Sequence, residues 1–479
     1  MAAGETIIRP RGPARTIQPG SLQRFWTLLR SRGRGISVSH AFPWMPAADE
    51  LLGRAHAFFG ASPAGAPDAP TARRLSDIRH FDLEGMQGVV AICAWGSSGS
   101  LLLASFLDGH DDVIMLPAYT GCALYAFFDN YRSLSLRDKL LIYPFLDDGH
   151  FNFFFHGEHS VNGADYFAAV DAACEIYGDS PAEFLQSRRV FFRLLHIVHC
   201  VALGRLPAGH RPLIVYQQHV PNEAQAGYLV EDFADVRFIH TVRDPLSNCS
   251  RLFEQSFRVT GSRAAGNVIM VLTTQDAPHL NMETRTLAVR FEDMHLRVGE
   301  TMSAVVDWLG LPYRASLLES TFSGRAWIAT RGTTTWSGAQ PAQAVRDCSN
   351  VSFTDRCLLS AVLYEDFAAW NYPCPKIFRH APIRILTCLL LLPIPMRMEG
   401  ILARRALSSR NMREVGKGLV RFCIGRAQIM LLLAVDLYRR LAVGIRVLSL
   451  GGSSGPAERT ESAPPFPKPG SINPTEGTN

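Results

Sequence analysis

GVVAICAWGSSGSLLLASFLDGH, residues 88–110, is the stretch that decides the fold. Its apolar beginning predicts a buried strand over residues 88–95, and its leucine-rich end predicts a helix. Between the two lies a loop of small residues, Gly96-Ser97-Ser98-Gly99-Ser100. A glycine-rich loop that leads from a strand into a helix presents backbone N–H groups to a phosphate. The stretch therefore predicts a phosphate site, and the alternative is a plain turn between a strand and a helix.

The loop contains no lysine, and Gly99 is followed by Ser100. In P-loop ATPases and GTPases a lysine directly after the last glycine reaches the β- and γ-phosphates. The chain has four lysines, and Lys139 is the only one before Lys376. The sequence therefore argues against an ordinary P-loop ATPase or GTPase. A kinase or other nucleotide phosphotransferase is kept as a weaker alternative.

The composition indicates a folded protein of a reducing compartment. The chain of 479 residues is 47% hydrophobic and 19% charged, which is enough to bury a large core. Its ten cysteines are scattered without a CxxC pair, so neither a zinc ribbon nor a disulfide framework is expected. The stretch FHGEH at 155–159 lacks the HExxH spacing, and no metal site is expected there. The beginning of the chain lacks an apolar run of signal-peptide length, so the expected location is cytoplasmic.

Composition divides the chain into four parts. Residues 1–40 carry seven arginines among glycines and prolines, and we expect a flexible basic arm. Residues 85–375 alternate strand and helix patterns, which predicts an α/β domain with a parallel central sheet flanked by helices. Residues 376–451 are expected to form a basic, amphipathic helical extension, and residues 452–479 a disordered tail. The clearest strands are expected at 88–95, 213–217, 236–242 and 286–291, and a crossover helix at 302–311.

A second candidate anion site follows the strand at 236–242, where the chain reads Arg243-Asp244-Pro245 and then enters a helix. Ligands gather at the carboxyl ends of the strands in an open α/β sheet. An arginine at such a place suits a phosphate monoester, because its planar guanidinium donates two hydrogen bonds to phosphate oxygens. Two anion sites at two strand ends predict a ligand with two separated anionic groups. The alternative for Arg243 is an ion pair with Asp244 or another nearby acid.

Taken together, these motifs resemble the sulfotransferases that use 3′-phosphoadenosine 5′-phosphosulfate (PAPS), in particular bacterial-type members. The resemblance spans roughly residues 88–375, and a late element at Arg331, Gly332 and Trp336 also matches. It implies a P-loop-like α/β fold. It also implies transfer of a sulfuryl group from PAPS to an acceptor hydroxyl or amine on a lipid, a glycan or a small molecule. The motifs that carry it are LLLASFLDGHDDV (101–113), RFIHTVRDPLSN (237–248), LAVRFEDM (287–294) and WLGLP (308–312).

The resemblance also implies roles for individual residues. The first loop would hold the 5′-phosphosulfate, and Arg243 with Ser250 would hold the 3′-phosphate. Many family members place a catalytic histidine in an H-L-P context after the preceding strand, and His219-Val220-Pro221 stands there. An acceptor must lose a proton as it attacks sulfur, and imidazole can take it, so His219 is the expected general base. The alternative for His219, one of 15 histidines, is a structural role. The full set of expected donor-binding residues is Gly96, Ser97, Ser98, Gly99, Ser100, Leu101, Arg243, Ser250, Arg331 and Gly332.

Three positions depart from the family pattern. Ser97 stands where many members carry Lys or Arg, and Gln217 replaces a lysine two residues before the histidine. Arg251 stands where a serine is expected, with Ser250 one residue earlier. A missing cation weakens electrostatic stabilisation of the transferring group, and Arg193, Arg251 or Arg331 are candidates to replace it. The alternative function is a catalytically degenerate nucleotide-binding protein that associates with a membrane.

Basic residues concentrate in the extension, with thirteen between residues 379 and 446 against three acids. At 100° per residue, a helix there gathers several charges on one face, opposite leucine, valine and isoleucine. Such a helix suits the surface of an anionic membrane, which residues 379–446 would contact peripherally. The alternatives are helices packed on the α/β domain or in a homodimer. Nucleic acid is not expected as a partner, because only Phe422 and Tyr438 offer stacking. The predicted charged face comprises Lys417, Arg421, Asp436, Arg439, Arg440 and Arg446.

Overall fold

Five parallel strands form the central sheet of the computed structural model, in the order β2-β3-β1-β4-β5. The structure describes residues 45–61, 86, 88–94, 96–117, 120–156, 160–177, 188–205, 212–219, 223–260, 264–273, 285–331, 334–408 and 412–442. The strands are β1 Gly88–Ala94, β2 Val113–Met115, β3 Leu213–His219, β4 Arg237–Val242 and β5 Thr286–Arg290. The predicted basic arm at 1–40 and the predicted tail at 452–479 lie outside these residues.

Helices connect the strands and cover both faces of the sheet. The α-helices of the α/β part are α1 Ala48–Ala61, α2 Ser100–Asp108, α3 Leu124–Asn130, α4 Leu136–Ile142, α5 Asp148–Phe155, α6 Gly163–Tyr177, α7 Arg188–Ala202, α8 Glu223–Asp232, α9 Pro245–Thr260, α10 Ala264–Thr273, α11 Phe291–Leu296, α12 Val298–Leu309, α13 Phe353–Val362 and α14 Tyr364–Ala369. Three further helices follow, α15 Ala381–Leu391, α16 Arg397–Leu407 and α17 Met412–Ala442. Short antiparallel pairs, β6 Thr321–Phe322 with β7 Arg325–Ala326 and β8 Ala329–Arg331 with β9 Thr334–Trp336, lie between α12 and α13.

The central strand β1 is buried on both faces, which explains its unbroken apolar sequence. Successive side chains of a strand point to opposite faces, so Val89 and Ala91 pack into one core and Val90 and Ile92 into another. The first core is rich in phenylalanine and tyrosine from helices α3 to α7. The second contains residues of α2 and α12.

The predicted parallel α/β sheet flanked by helices is confirmed. The four expected strands correspond to β1, β3, β4 and β5, and the expected helix at 302–311 lies mostly within α12. Strand β2 was not expected, because three residues are too few to carry a periodic signal.

The C-terminal helices are part of a third core, formed with α9, α10 and α13. Cys388, Met396, Ile429 and Leu433 are buried in it beside Leu246 and Leu359. Among the described residues, Val415–Ala442 is the one helix that is long and apolar enough to cross a membrane. Length and composition alone are weak evidence for a membrane span. The structure divides the predicted charged face of α17. Lys417 and Arg421 are exposed, whereas Asp436 and Arg440 are buried and form an ion pair.

Candidate functional site

The glycine-serine loop leaves the carboxyl end of β1 and enters α2 at Ser100. Gly96 has φ 69° and Gly99 has φ 92°, both in the left-handed region. A Cβ on Gly99 would lie 2.5 Å from Cδ2 of Phe291, and one on Gly96 would lie 2.9 Å from Cδ2 of Leu252. The two glycines are therefore required both by backbone conformation and by close packing against α11 and α9.

Side-chain hydroxyls tie the loop to the neighbouring strands. Ser98 Oγ lies 2.8 Å from Thr241 Oγ1 on β4, and both residues are buried. Ser100 Oγ accepts a hydrogen bond of 3.1 Å from Gln217 Nε2 on β3. Gln217, which stands where the family pattern has a lysine, thus fixes the first residue of α2.

Ser97 adopts a left-handed conformation with φ 52° and sits at the outer turn of the loop. Its hydroxyl donates to Gln255 Oε1 at 2.6 Å, and its carbonyl oxygen accepts from Arg243 Nη1 at 3.2 Å. A non-glycine residue in this conformation carries strain that the surrounding contacts must offset. The two bonds connect the loop to α9 and to the end of β4.

Arg243 follows β4 directly, and its guanidinium stacks on the ring of Phe291 at 4.1 Å from the centroid. Its Nε is buried and has no hydrogen-bond partner among the described residues. Burial lowers the pKa of the guanidinium, and the nearby Glu292 and Tyr372 partly offset this. An arginine that is largely desolvated and retains an unused donor suits an anionic ligand.

Asp244 does not neutralise Arg243. Its Oδ1 accepts from the backbone N–H groups of Leu246 at 3.1 Å and Ser247 at 2.9 Å, which caps the N-terminus of α9. Its other oxygen pairs with Arg346 Nη2 at 3.0 Å. The alternative in which Arg243 simply pairs with Asp244 is therefore not what the structure shows.

The FED motif, Phe291-Glu292-Asp293, follows β5 and lies beside Arg243 and Asp244. Glu292 accepts from the backbone N–H of Asp244 at 3.2 Å and from the hydroxyl of Tyr372 at 2.5 Å. Burial and the adjacent Glu292 raise the pKa of Tyr372 well above its ordinary range, so the phenol stays protonated. Arg290 stacks on Tyr372 at 4.5 Å from the ring centroid. These contacts hold the turn after β4 against the end of β5.

His295 lies next to Phe291, and its pKa reflects the burial and the positive charge of the site. Burial, followed by the positive charge of Arg243, lowers its pKa to about 4. Its Nδ1 accepts a hydrogen bond of 2.9 Å from the backbone N–H of Gln340. The imidazole is thus neutral at physiological pH.

Ser250, the second residue expected at the 3′-phosphate, lies on α9 and is fully buried. Its Oγ accepts from the backbone N–H of Asn350 at 3.3 Å and lies 3.4 Å from Ser349 Oγ. The structure therefore places Ser250 under the segment that contains Ser349 and Asn350. Sequence analysis did not single out this segment, Arg346 or Tyr372, because each contacts residues 80 to 102 positions away.

The remaining expected residues are placed as follows. The backbone of His219 ends β3, with its Cα paired in register with Ala94 at the end of β1. Leu101 is partly buried in α2 and packs against the core that contains Val90. The side chains of His219 and Arg331, and Gly332 as a whole, lie outside the described residues. Within the described residues, no cluster of His, Cys, Asp and Glu could hold a metal ion.

Three arginines are candidates to replace the missing cation of the loop, and two of them have contacts elsewhere. Arg193 is buried in α7 with its guanidinium 5.5 Å from the ring centroid of Phe233, and Arg251 pairs with Glu254 at 3.3 Å. Lys139, the lone early lysine, lies in α4 and donates to the carbonyl oxygens of Leu134 and Arg132. Arg243 is thus the cation that contacts the loop among the residues described.

A family profile matches the part of the chain that contains these residues. Residues 90–315 match the profile of the sulfotransferase family, a range that includes the loop, Arg243 and the FED motif. No curated protein matches the chain.

Three solved structures are similar to parts of the chain. The sulfotransferase domain of the olefin synthase from Synechococcus PCC 7002 is 15% identical, covers 49% of this chain and 77% of its own, and has a TM-score of 0.30. The sulfotransferase domain of the curacin biosynthetic pathway is 15% identical, with coverages of 61% and 95% and a TM-score of 0.28. Sulfotransferase STF9 from Mycobacterium avium is 11% identical, with coverages of 58% and 87% and a TM-score of 0.32.

Replacing Gly99 with alanine tests the close packing of the loop. We expect the free energy of unfolding to fall by about 2–4 kcal/mol, from left-handed strain and from the clash with Phe291. Gly310→Ala is the matched control, because Gly310 has φ 71° but no atom within 4 Å of an added Cβ. The free energy of unfolding of this control should fall by only about 1–2 kcal/mol. Urea unfolding measures both, and equal losses would contradict the packing argument.

The buried neutral His295 makes stability depend on pH. Its folded-state pKa of about 4 lies below the ordinary value of 6.5, so the unfolded chain binds the proton more readily. The contribution of neutral His295 to the free energy of unfolding is complete above about pH 6.5 and is lost as the pH falls towards 4. We expect His295→Asn to show a smaller loss of unfolding free energy between pH 7 and pH 5 than the unaltered protein. His56→Asn, at an exposed position, is the control and should lose as much unfolding free energy as the unaltered protein. If His295→Asn shows the same dependence on pH as both, His295 is not the source of the effect.

Proposed function

We propose that the protein is a PAPS-dependent sulfotransferase that transfers a sulfuryl group to an acceptor hydroxyl or amine. The observation that carries the proposal is the contact between Arg243 and the glycine-serine loop, at the carboxyl ends of the adjacent strands β1 and β4. The match of residues 90–315 to the sulfotransferase family profile supports the reaction class.

The loop and Arg243 together suit a donor with two anionic groups. Gly96 and Gly99 allow the left-handed backbone conformation of the loop, and the N-terminus of α2 favours negative charge. Arg243 offers a desolvated guanidinium with a free Nε for a second anion. In this proposal the loop from Gly96 to Ser100, with Leu101, holds the 5′-phosphosulfate, and Arg243 holds the 3′-phosphate. Ser250, Arg331 and Gly332 complete the nucleotide site.

His219 is proposed as the general base. Its Cα is paired in register with Ala94, so its backbone lies beside the entrance of the loop. In the reaction the acceptor oxygen or nitrogen forms a bond to sulfur while the bond from sulfur to the 5′-phosphate oxygen breaks. The acceptor proton passes to His219, and the products are the sulfated acceptor and 3′-phosphoadenosine 5′-phosphate. A neutral imidazole is suited to this step near physiological pH.

The donor site is tested by calorimetric titration with 3′-phosphoadenosine 5′-phosphate, in parallel with ATP. We expect the bisphosphate to bind and ATP to bind much more weakly, because ATP has no 3′-phosphate for Arg243. Arg243→Ala should weaken the bisphosphate by at least about tenfold, the minimum for losing a charge-assisted bidentate contact. The exposed Arg314→Ala is the control and should bind like the unaltered protein. No binding by the folded protein, or preference for ATP, would overturn the proposal.

The base is tested by turnover of PAPS with a panel of hydroxyl and amine acceptors. We expect His219→Ala to lower kcat by about 10²–10⁴ because a positioned general base is lost. Binding of 3′-phosphoadenosine 5′-phosphate should stay within about twofold, since the base does not contact the nucleotide phosphates in this proposal. Unchanged kcat in the variant would remove His219 from the mechanism while leaving the donor site intact.

A further inference from the structure

Helix α15 and the C-terminal part of α17 bury charged side chains and expose many apolar ones. This is the reverse of a helix on the surface of a globular protein, where the polar face is exposed. The sequence predicts one charged face on α17, and the structure divides that face between exposed and buried residues. The outward faces of the two helices are therefore the strongest candidates for a binding surface that the proposed function does not use.

On α15 the inward face includes Arg384 and Cys388, both buried. At 100° per residue the outward face spans 140°, and all four of its largest side chains are aliphatic. Leu389 is 68% exposed and Leu390 is 63% exposed. The outward residues are Ile385, Leu386, Leu389 and Leu390, and the exposed Ile394 follows the helix.

On α17 the same division runs along the length of the helix. Ile429, Leu433, Asp436 and Arg440 are buried against the domain. The opposite face presents a stripe of residues that share one side of the helix, with Ile424 64% exposed. The exposed apolar residues of this stripe are Val420, Ile424, Leu431 and Tyr438.

The inward charges are paired, which explains why the helices tolerate them. Arg440 Nε donates to Asp436 at 2.8 Å, and its Nη1 lies 3.0 Å from Asp366 Oδ2. Arg384 Nη2 donates to Glu365 at 2.9 Å, and the same carboxylate lies 3.9 Å from Arg440. Both helices are thus attached to α14 through Glu365 and Asp366. An ion pair of this kind is costly to break once it is buried.

The segment that contains the exposed apolar residues is rich in exposed cations and poor in acids. Three acids lie in residues 376–442, and two of them, Glu399 and Asp436, are buried. Glu399 accepts a hydrogen bond of 2.7 Å from Arg426 Nη1. The exposed cations of these helices and their connections are Lys376, Arg379, Arg397, Arg404, Arg405, Arg413, Lys417 and Arg421.

We propose that the outward faces of α15 and α17 bind the surface of an anionic lipid bilayer. Aliphatic side chains at the interface would bury their area among the acyl chains, while the surrounding arginines and lysines contact lipid phosphates. Charge complementarity selects the bilayer over a second copy of the chain, because two copies of this basic face would repel each other.

The proposed contact lies along the membrane and does not cross it. Spanning would require α17 to leave its core and to take Arg426 into hydrocarbon without Glu399, and Arg440 without Asp366. Intramembrane charges of this kind are expensive. The buried ion pairs therefore keep α17 on the domain and leave its outer stripe for the lipid interface.

The test is flotation of the full chain with vesicles of phosphatidylcholine alone or with about 30% phosphatidylglycerol. We expect binding to the anionic vesicles, reduced at high salt. L389Q combined with L390Q should weaken partition into these vesicles by at least about tenfold. L318Q combined with I328Q is the matched control, since these side chains are 45% and 53% exposed and lie outside the C-terminal helices. It should bind like the unaltered protein.

Circular dichroism and the unfolding midpoint establish that each variant is folded. Absence of flotation with anionic vesicles would overturn the proposal, as would equal flotation of the two double variants. If the unaltered chain is a dimer in solution and L389Q/L390Q is a monomer, with no lipid binding by either, the face is an interface between copies and the lipid proposal fails. These outcomes are independent of the nucleotide titration.

Discussion

The arrangement of the site depends on one constraint, the close approach of the loop after β1 to the first turn of α11 after β5. Gly99 lies against Phe291, and the guanidinium of Arg243 stacks on the same ring. A side chain at residue 99 would displace the ring, and the ring carries the arginine. The carboxyl ends of β1, β4 and β5 are thus connected through one aromatic side chain, which positions a loop of backbone donors beside a desolvated cation.

Sequence alone predicts the parts of this arrangement that are local. The strand, loop and helix at 88–110 and the arginine after β4 follow from periodicity, small residues and their order. Sequence alone does not predict contacts between residues that are distant in the chain. Gln217 stands at a position expected to be lysine, yet in the structure it donates to Ser100, 117 residues away. The contact of Ser250 with Asn350 and that of Glu292 with Tyr372 carry no local signal either.

The C-terminal helices show a different limit of the sequence pattern. Their helical form and basic character can be predicted, but the direction in which each face points cannot, because an apolar stripe ordinarily predicts the buried side. Here Arg384 and Arg440 pair with carboxylates of α14, and this pairing leaves leucine and isoleucine outside. The acids that determine the orientation belong to another helix, so no calculation on α17 by itself could have found them.

The shared carboxylate of Glu365 has a consequence for motion. Because Arg384 of α15 and Arg440 of α17 both lie against it, loosening either helix leaves this partly buried carboxylate with one cation fewer. This shared contact couples the two helices, so we expect them to open as one cooperative unit in native-state hydrogen exchange. Amides in the middle of α15 and α17, although separated by some forty residues of sequence, would then exchange with a common opening free energy.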